Sequence, residues 1–163
     1  MTVRFHFFAV LFVIFGVMPA HGAQEPFSIR IRALHDVVKV GDDVHVAITL
    51  TNTSDQAFRI GRAIGNEQAE LDYVIDVRDK NAFLALKTEY GHTVAGEGNY
   101  PLFTSARSVT LKPGEQLEEE SILNKIYDLG HPGSYVVQVH RDIPEQIGYG
   151  VATSNAITVT VTE

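Results

Sequence analysis

Tyr127–Arg141 reads YDLGHPGSYVVQVHR, and this stretch decides the fold. It opens on a short apolar turn and crosses a Pro-Gly corner at Pro132 and Gly133. From Tyr135 it alternates, with Tyr135, Val137 and Val139 on one face and Gln138 and His140 on the other. A period of two marks a strand with one buried face. Tyr135 shares the parity of the valines, so its ring is predicted inside, with its hydroxyl reaching back to backbone within Tyr127–Gly130. Just upstream, Leu123, Ile126 and Leu129 are spaced by three, which predicts one helical turn before the corner.

On either side of this stretch, strands recur every dozen or so residues. Ile29, Ile31 and Ala33 alternate with Arg30 and Arg32 as a first strand. Leu34–Asp43 reads as a crossing segment ending in a Gly-Asp-Asp turn. Val44, Val46, Ile48 and Leu50 then face inward, with His45, Ala47 and Thr49 outward, until Asn52-Thr53-Ser54-Asp55 turns the chain. Phe58 and Ile60 begin a third strand, followed by a Gly65-Asn66-Glu67 loop. Leu71, Tyr73, Ile75 and Val77 form the inward face of a fourth strand. Asp79-Lys80-Asn81 turns it into Phe83–Leu86 as a hairpin. Ser108–Leu111 is the next strand, closed by Lys112-Pro113-Gly114-Glu115 in type II turn order.

Gln116–Asn124 is ambiguous, because the parity of Leu117 and Leu123 also turns Glu119 inward. That strand either starts near Ser121 or contains a bulge. Glu118-Glu119-Glu120 reads as a charged edge that discourages aggregation. Asp142–Ser154 reads as a loop, and Ile157, Val159 and Val161 as the final strand. No amphipathic helix of useful length is visible. The expected class is all-β, with seven to nine strands in two antiparallel sheets.

Composition sets the outer limits. The chain has 163 residues, a net charge of −7 and 45% hydrophobic residues. Scattered Lys and Arg in an acidic chain argue against a nucleic-acid partner. The absence of cysteine rules out disulfides, thiolate metal sites and cysteine nucleophiles in this chain. Met1–Ala23 carries Arg4, the apolar run Phe5–Met18, Pro19 and then Ala20-His21-Gly22-Ala23, the order of a cleaved export signal. Ala20 and Gly22 fit the small-x-small rule for a cut after Gly22; a cut after Ala23 is the alternative, with the bulkier His21 at the third position back. The alternative is a membrane anchor, but about 14 apolar residues fall short of the ~20 that span a bilayer. Residues 24–163 are then expected to form one domain, periplasmic or extracellular and monomeric, with no stable membrane span.

Leu111–Glu115 (LKPGE), Tyr127–Val139 and the closing Ser154–Val161 (SNAITVTV) resemble exported bacterial immunoglobulin-like β-sandwich domains, and Val38–Ser54 fits the same pattern. A looser similarity runs to BsuPI-type proteinase-inhibitor domains and fibronectin-III-like modules. The resemblance spans nearly all of Phe27–Glu163 and rests on turns and core alternation. It implies the immunoglobulin-like fold, and it carries no catalytic residue across. The cysteine pair and core tryptophan of antibody domains are absent.

Candidate chemistry is sparse. Outside the export segment the histidines are His35, His45, His92, His131 and His140, with no metal-ligand spacing among them. His45 and His140 are predicted outward on opposite sheets. Asp42-Asp43 and Asp142 with Glu145 lack a calcium-loop spacing. No nucleophile elbow, zinc-protease motif or phosphate loop occurs. The reading is a non-enzymatic binding domain without metal or cofactor, whose partner is a protein or cell-envelope component. The alternatives are a BsuPI-type proteinase inhibitor and a carbohydrate-binding module. Thr88–Ser105, without visible periodicity, supplies the candidate interaction loop through Tyr90, His92, Tyr100 and Phe103. The competing reading makes these aromatics a lid over the core edge.

Overall fold

The computed structural model describes residues 25–64, 69–97 and 105–163. Met1–Ala23, read as an export signal, the 65–67 loop, Tyr100 and Phe103 lie outside the described residues. Among those described, ten strands form. They are β1 (Phe27–Ala33), β2 (Val37–Lys39), β3 (His45–Asn52), β4 (Phe58–Ile64), β5 (Val74–Arg78), β6 (Ser105–Leu111), β7 (Gln116–Ile122), β8 (Gly133–Asp142), β9 (Val151–Thr153) and β10 (Ile157–Thr162). Two short helices, α1 (Glu89–Val94) and α2 (Leu123–Ile126), and a 3-10 turn at Ala69–Leu71 complete the elements. No helix among the described residues is long and apolar enough to cross a membrane.

The architecture is mainly β, as alternation predicts, but it has ten strands in three sheets in place of seven to nine in two. One sheet has the order β1-β3-β7; a second runs β2-β10-β8-β5 with β9 along β8; among the described residues β4 and β6 pair only with each other. The extra strands are β2 and β9, three residues each, inside segments read as a crossing and a loop. Neither could be seen locally, because neighbours recruit them: β2 lies parallel to β10, and β9 antiparallel to β8. The separate β4-β6 ladder is tied to the first sheet through Asn52. This buried side chain donates 2.9 Å bonds to the carbonyls of Leu111 and Gln56, joining the ends of β3, β4 and β6.

The inward faces of all three sheets supply one core. Ile29, Ile31, Val46, Ile48 and Leu50 meet Val137, Val139 and Val159, and the Phe27 and Phe58 rings pack at 6.1 Å between centroids. The predicted helical turn is present as α2, with Leu123, Ile126 and Leu129 all buried. The turn at Lys112–Glu115 also forms, with Gly114 at φ 78° and Glu115 N–H bonded to Lys112 O. His45 and His140 lie on different sheets.

Several local expectations are corrected. The β7 ladder to β3 runs unbroken from Gln116 to Ile122, so there is neither a late start nor a bulge, and Glu119 does turn inward. Consequently the triple glutamate is not a uniform charged edge: Glu118 is exposed, whereas Glu120 bonds His45. The fourth strand starts at Val74, not Leu71, because a 3-10 turn occupies Ala69–Leu71. Phe83–Leu86 does not build a full hairpin; it makes one bridge, Arg78 to Leu84. Finally, the segment read as irregular contains α1. Its start is chemically specified by Thr88, whose hydroxyl accepts from Gly91 N–H at 3.0 Å.

Candidate functional site

Three strands end their apolar inward stripes in charge. Phe58 and Ile60 lead to Arg62, Leu117 leads to Glu119, and Val137 and Val139 lead to Arg141. Arg62 Nε donates to Glu119 Oε1 at 2.7 Å, and the Arg141 guanidinium lies 3.7 Å from Asp72 and 5.0 Å from the Tyr73 ring centre. Asp72 is anchored by the Ala63 N–H at 2.9 Å. The Tyr73 hydroxyl, Glu119 Oε2 and Arg141 Nη1 are buried without a hydrogen-bond partner among the described residues. Burial, followed by the Glu119 charge, pushes the Tyr73 phenol above the ordinary tyrosine range. Glu70, also buried, accepts from Tyr90 Oη at 3.0 Å and Ser121 Oγ at 3.2 Å.

This polar cluster backs a cavity of about 140 Å³ at the free side of β5. Glu70 and Tyr73 line its inner side, and Val74, Leu84, Val94 and Ala95 supply apolar wall. The volume is close to the ~150 Å³ of an engineered cavity that accepts a benzene ring. Val74 (55% exposed) and Leu84 (50%) leave much of this wall in water, and the segment that carries Leu84 also exposes Phe83 (71%) and Leu86 (76%). The lip is held by its turn, where Asp79 Oδ1 accepts from the N–H groups of Asn81 (2.8 Å) and Phe83 (3.0 Å). Ala85 N–H then bonds Val77 O and Asp128 N–H bonds Leu86 O, so the lip is braced on both sides.

α1 forms the other rim. It lies so close to α2 that a Cβ on Gly91 would overlap the Ile126 carbonyl oxygen. Tyr90, expected on an interaction loop, is half-buried and holds Glu70; burial and then the Glu70 charge push its phenol up to about 12. His92 is exposed, with Nδ1 2.9 Å from Glu97 Oε2. Glu97 is held below the usual carboxylate range by its hydrogen bonds to Lys87 and His92. The structure therefore brings Tyr90 and His92 onto one short helix with different roles, an anchor and a surface group.

His45 Nδ1 is 2.5 Å from Glu120 Oε1; His35 and His131 are exposed. Among the described residues no three His, Asp or Glu side chains converge as a metal site would require. Sequence reading missed the cluster and the lip. The signal for the cluster was present in the parity of Glu119, and equally in that of Arg62 and Arg141. The lip had only the apolar triplet Phe83, Leu84 and Leu86, which periodicity assigns to a core-facing strand.

A comparison with protein-family models finds no match, and a search of curated proteins finds none. Among solved structures, the chain is similar to a β-glucosidase from Erythrobacter marinus (14% identity, TM-score 0.42), covering 83% of this chain and 15% of that one. It is also similar to a β-glucosidase from Listeria innocua (16% identity, TM-score 0.43, 84% and 16% covered). A third similarity is to the alkylpurine DNA glycosylase AlkC from Pseudomonas fluorescens (16% identity, TM-score 0.43, 87% and 32% covered). The chain thus spans between 15% and 32% of these proteins' lengths. At such identities and scores the likenesses assign neither family nor activity.

Proposed function

We propose that this chain is an exported, non-enzymatic immunoglobulin-like β-sandwich domain that binds another protein of the cell envelope through the Phe83–Leu86 lip. The observation that carries the reading is the lip itself. Four large apolar side chains remain half to three-quarters in solvent, and two of them, Val74 and Leu84, line one ring-sized cavity. Contiguous exposed apolar surface beside a pocket is the mark of an interaction site. The central position of β3 between β1 and β7, and of β8 between β5 and β10, supports the immunoglobulin-like reading. The order of charge, apolar run and small residues in Met1–Ala23 supports export.

The test places a photo-crosslinking residue at Leu86 in cells, with Val151, exposed on another strand, as control. A single adduct from position 86, absent at 151 and lost in a Phe83→Ser variant with unchanged melting, is the expected result. Equal adducts from both positions, or none from position 86, would overturn the reading.

A further inference from the structure

The outer face of the β1-β3-β7 sheet carries a second cavity, of about 310 Å³. Its floor is short, because β3 presents Ala47 and Thr49 there. Its two sides are of opposite charge. Arg32 stands on β1, and Glu118 and Glu120 stand on β7, two strands away. The ladders set Arg32 opposite Ala47 and Ala47 opposite Glu120, with Thr49 opposite Glu118 in the neighbouring row. Strands are ~4.8 Å apart, so the opposing backbones are separated by roughly 10 Å across the small floor.

The charges divide into occupied and free. Glu120 is engaged by His45, and Arg62 by Glu119. Arg32 and Glu118 are exposed and have no ion-pair partner among the described residues. Glu119 also borders this cavity, but its place opposite Ile48 turns its carboxylate to the inner face, toward Arg62 and Tyr73. Its side chain is only 5% exposed, Arg62 holds one oxygen, and Oε2 is buried without a partner. One wall of the trough thus carries a free carboxylate and the other a free guanidinium.

We propose that this trough binds a small peptide-type zwitterion, its carboxylate on Arg32 and its ammonium on the Glu118 side. A guanidinium fork matches a carboxylate in two parallel hydrogen bonds, and carboxylates accept from an ammonium. The volume corresponds to roughly ten waters at ~30 Å³ each, which limits the ligand to about ten non-hydrogen atoms, an amino acid or dipeptide. The site lies on the sheet opposite the apolar lip, so either can fail without the other.

The probe is glycylglycine, titrated into the full chain while backbone amide resonances are followed by NMR. N-acetylglycine, which keeps only the anion, and glycinamide, which keeps only the cation, serve as the paired controls. Saturable shifts at the Ala47 and Thr49 amides are expected with glycylglycine, and weaker ones with either control. Arg32→Gln and Glu118→Gln, both at exposed positions, should each weaken the affinity about tenfold or more, as loss of a charged hydrogen bond does. The proposal is overturned if those amides do not respond saturably, if all three compounds act alike, or if both variants bind as tightly as the native chain.

Discussion

The Tyr135 hydroxyl donates to the His131 carbonyl at 2.9 Å, closing the Pro-Gly corner on itself, and its ring packs against Gly133. The bond is short-range and part-buried, so Tyr135→Phe is expected to cost about 1 kcal/mol in denaturant unfolding, the net worth of one such hydrogen bond. The inward ring follows from parity with Val137 and Val139. The acceptor lies one residue beyond the expected Tyr127–Gly130 window, because the Pro-Gly corner turns the His131 carbonyl, not an earlier one, toward the phenol. Tyr127 sends its own hydroxyl elsewhere, to the Ile75 carbonyl on β5. A second residue-scale prediction concerns Glu119. Glu119→Ala leaves Arg62 without its carboxylate, and should destabilise by about 2–3 kcal/mol, the low side for a buried pair since Arg62 keeps partial contact with water. Replacing both residues by leucine should recover most of that loss, because desolvation of both charges is removed together. A double variant as unstable as the single one would show that the pair does more than satisfy itself.

At the scale of elements, legibility tracked the source of each element's stability. β1, β3, β8 and β10 were readable because each buries every second side chain over six or more residues, and that pattern is local. β2 and β9 exist only by virtue of the strands beside them. α1 is shorter than any helix that stands alone in water, and its six residues, with Gly91 between Tyr90 and His92, show no apolar stripe. What holds it is the Thr88 cap, the Tyr90–Glu70 bond and its close seat on α2. Gly91→Ala tests that account directly. The added methyl must displace α1 from the Ile126 carbonyl, and overpacking of this kind costs about 1–3 kcal/mol. The Tyr90 ring should then gain solvent, with hydrogen exchange rising across 89–94 and remaining unchanged in β3. A variant with native exchange throughout α1 would show that the helix is not pinned at this glycine.

On the scale of the whole molecule, one buried polar cluster lies behind both cavities, with Glu119 lining the zwitterion trough and Glu70 and Tyr73 lining the ring-sized pocket. Buried phenols link this interior to pH. Burial, with the neighbouring Glu70 or Asp76 charge next in weight, raises Tyr90 and Tyr127 to about 12, against an ordinary value near 10. Below pH ~10 both folded and unfolded chains hold these protons, so the contribution to stability is fully present. Between about pH 10 and 12 the unfolded chain releases them while the folded chain does not. The unfolded state then binds fewer protons, and stability falls as pH rises through the folded values. Phenolate absorbance and β-sheet circular dichroism followed together should therefore show the buried phenols ionising only as the sheets unfold. Tyr127→Phe should flatten the loss of stability over that window, because one of the released protons is gone. Phenolate rising to completion with the β signal intact would mean that water reaches these hydroxyls in the native chain, and that the cluster behind the two cavities is not closed.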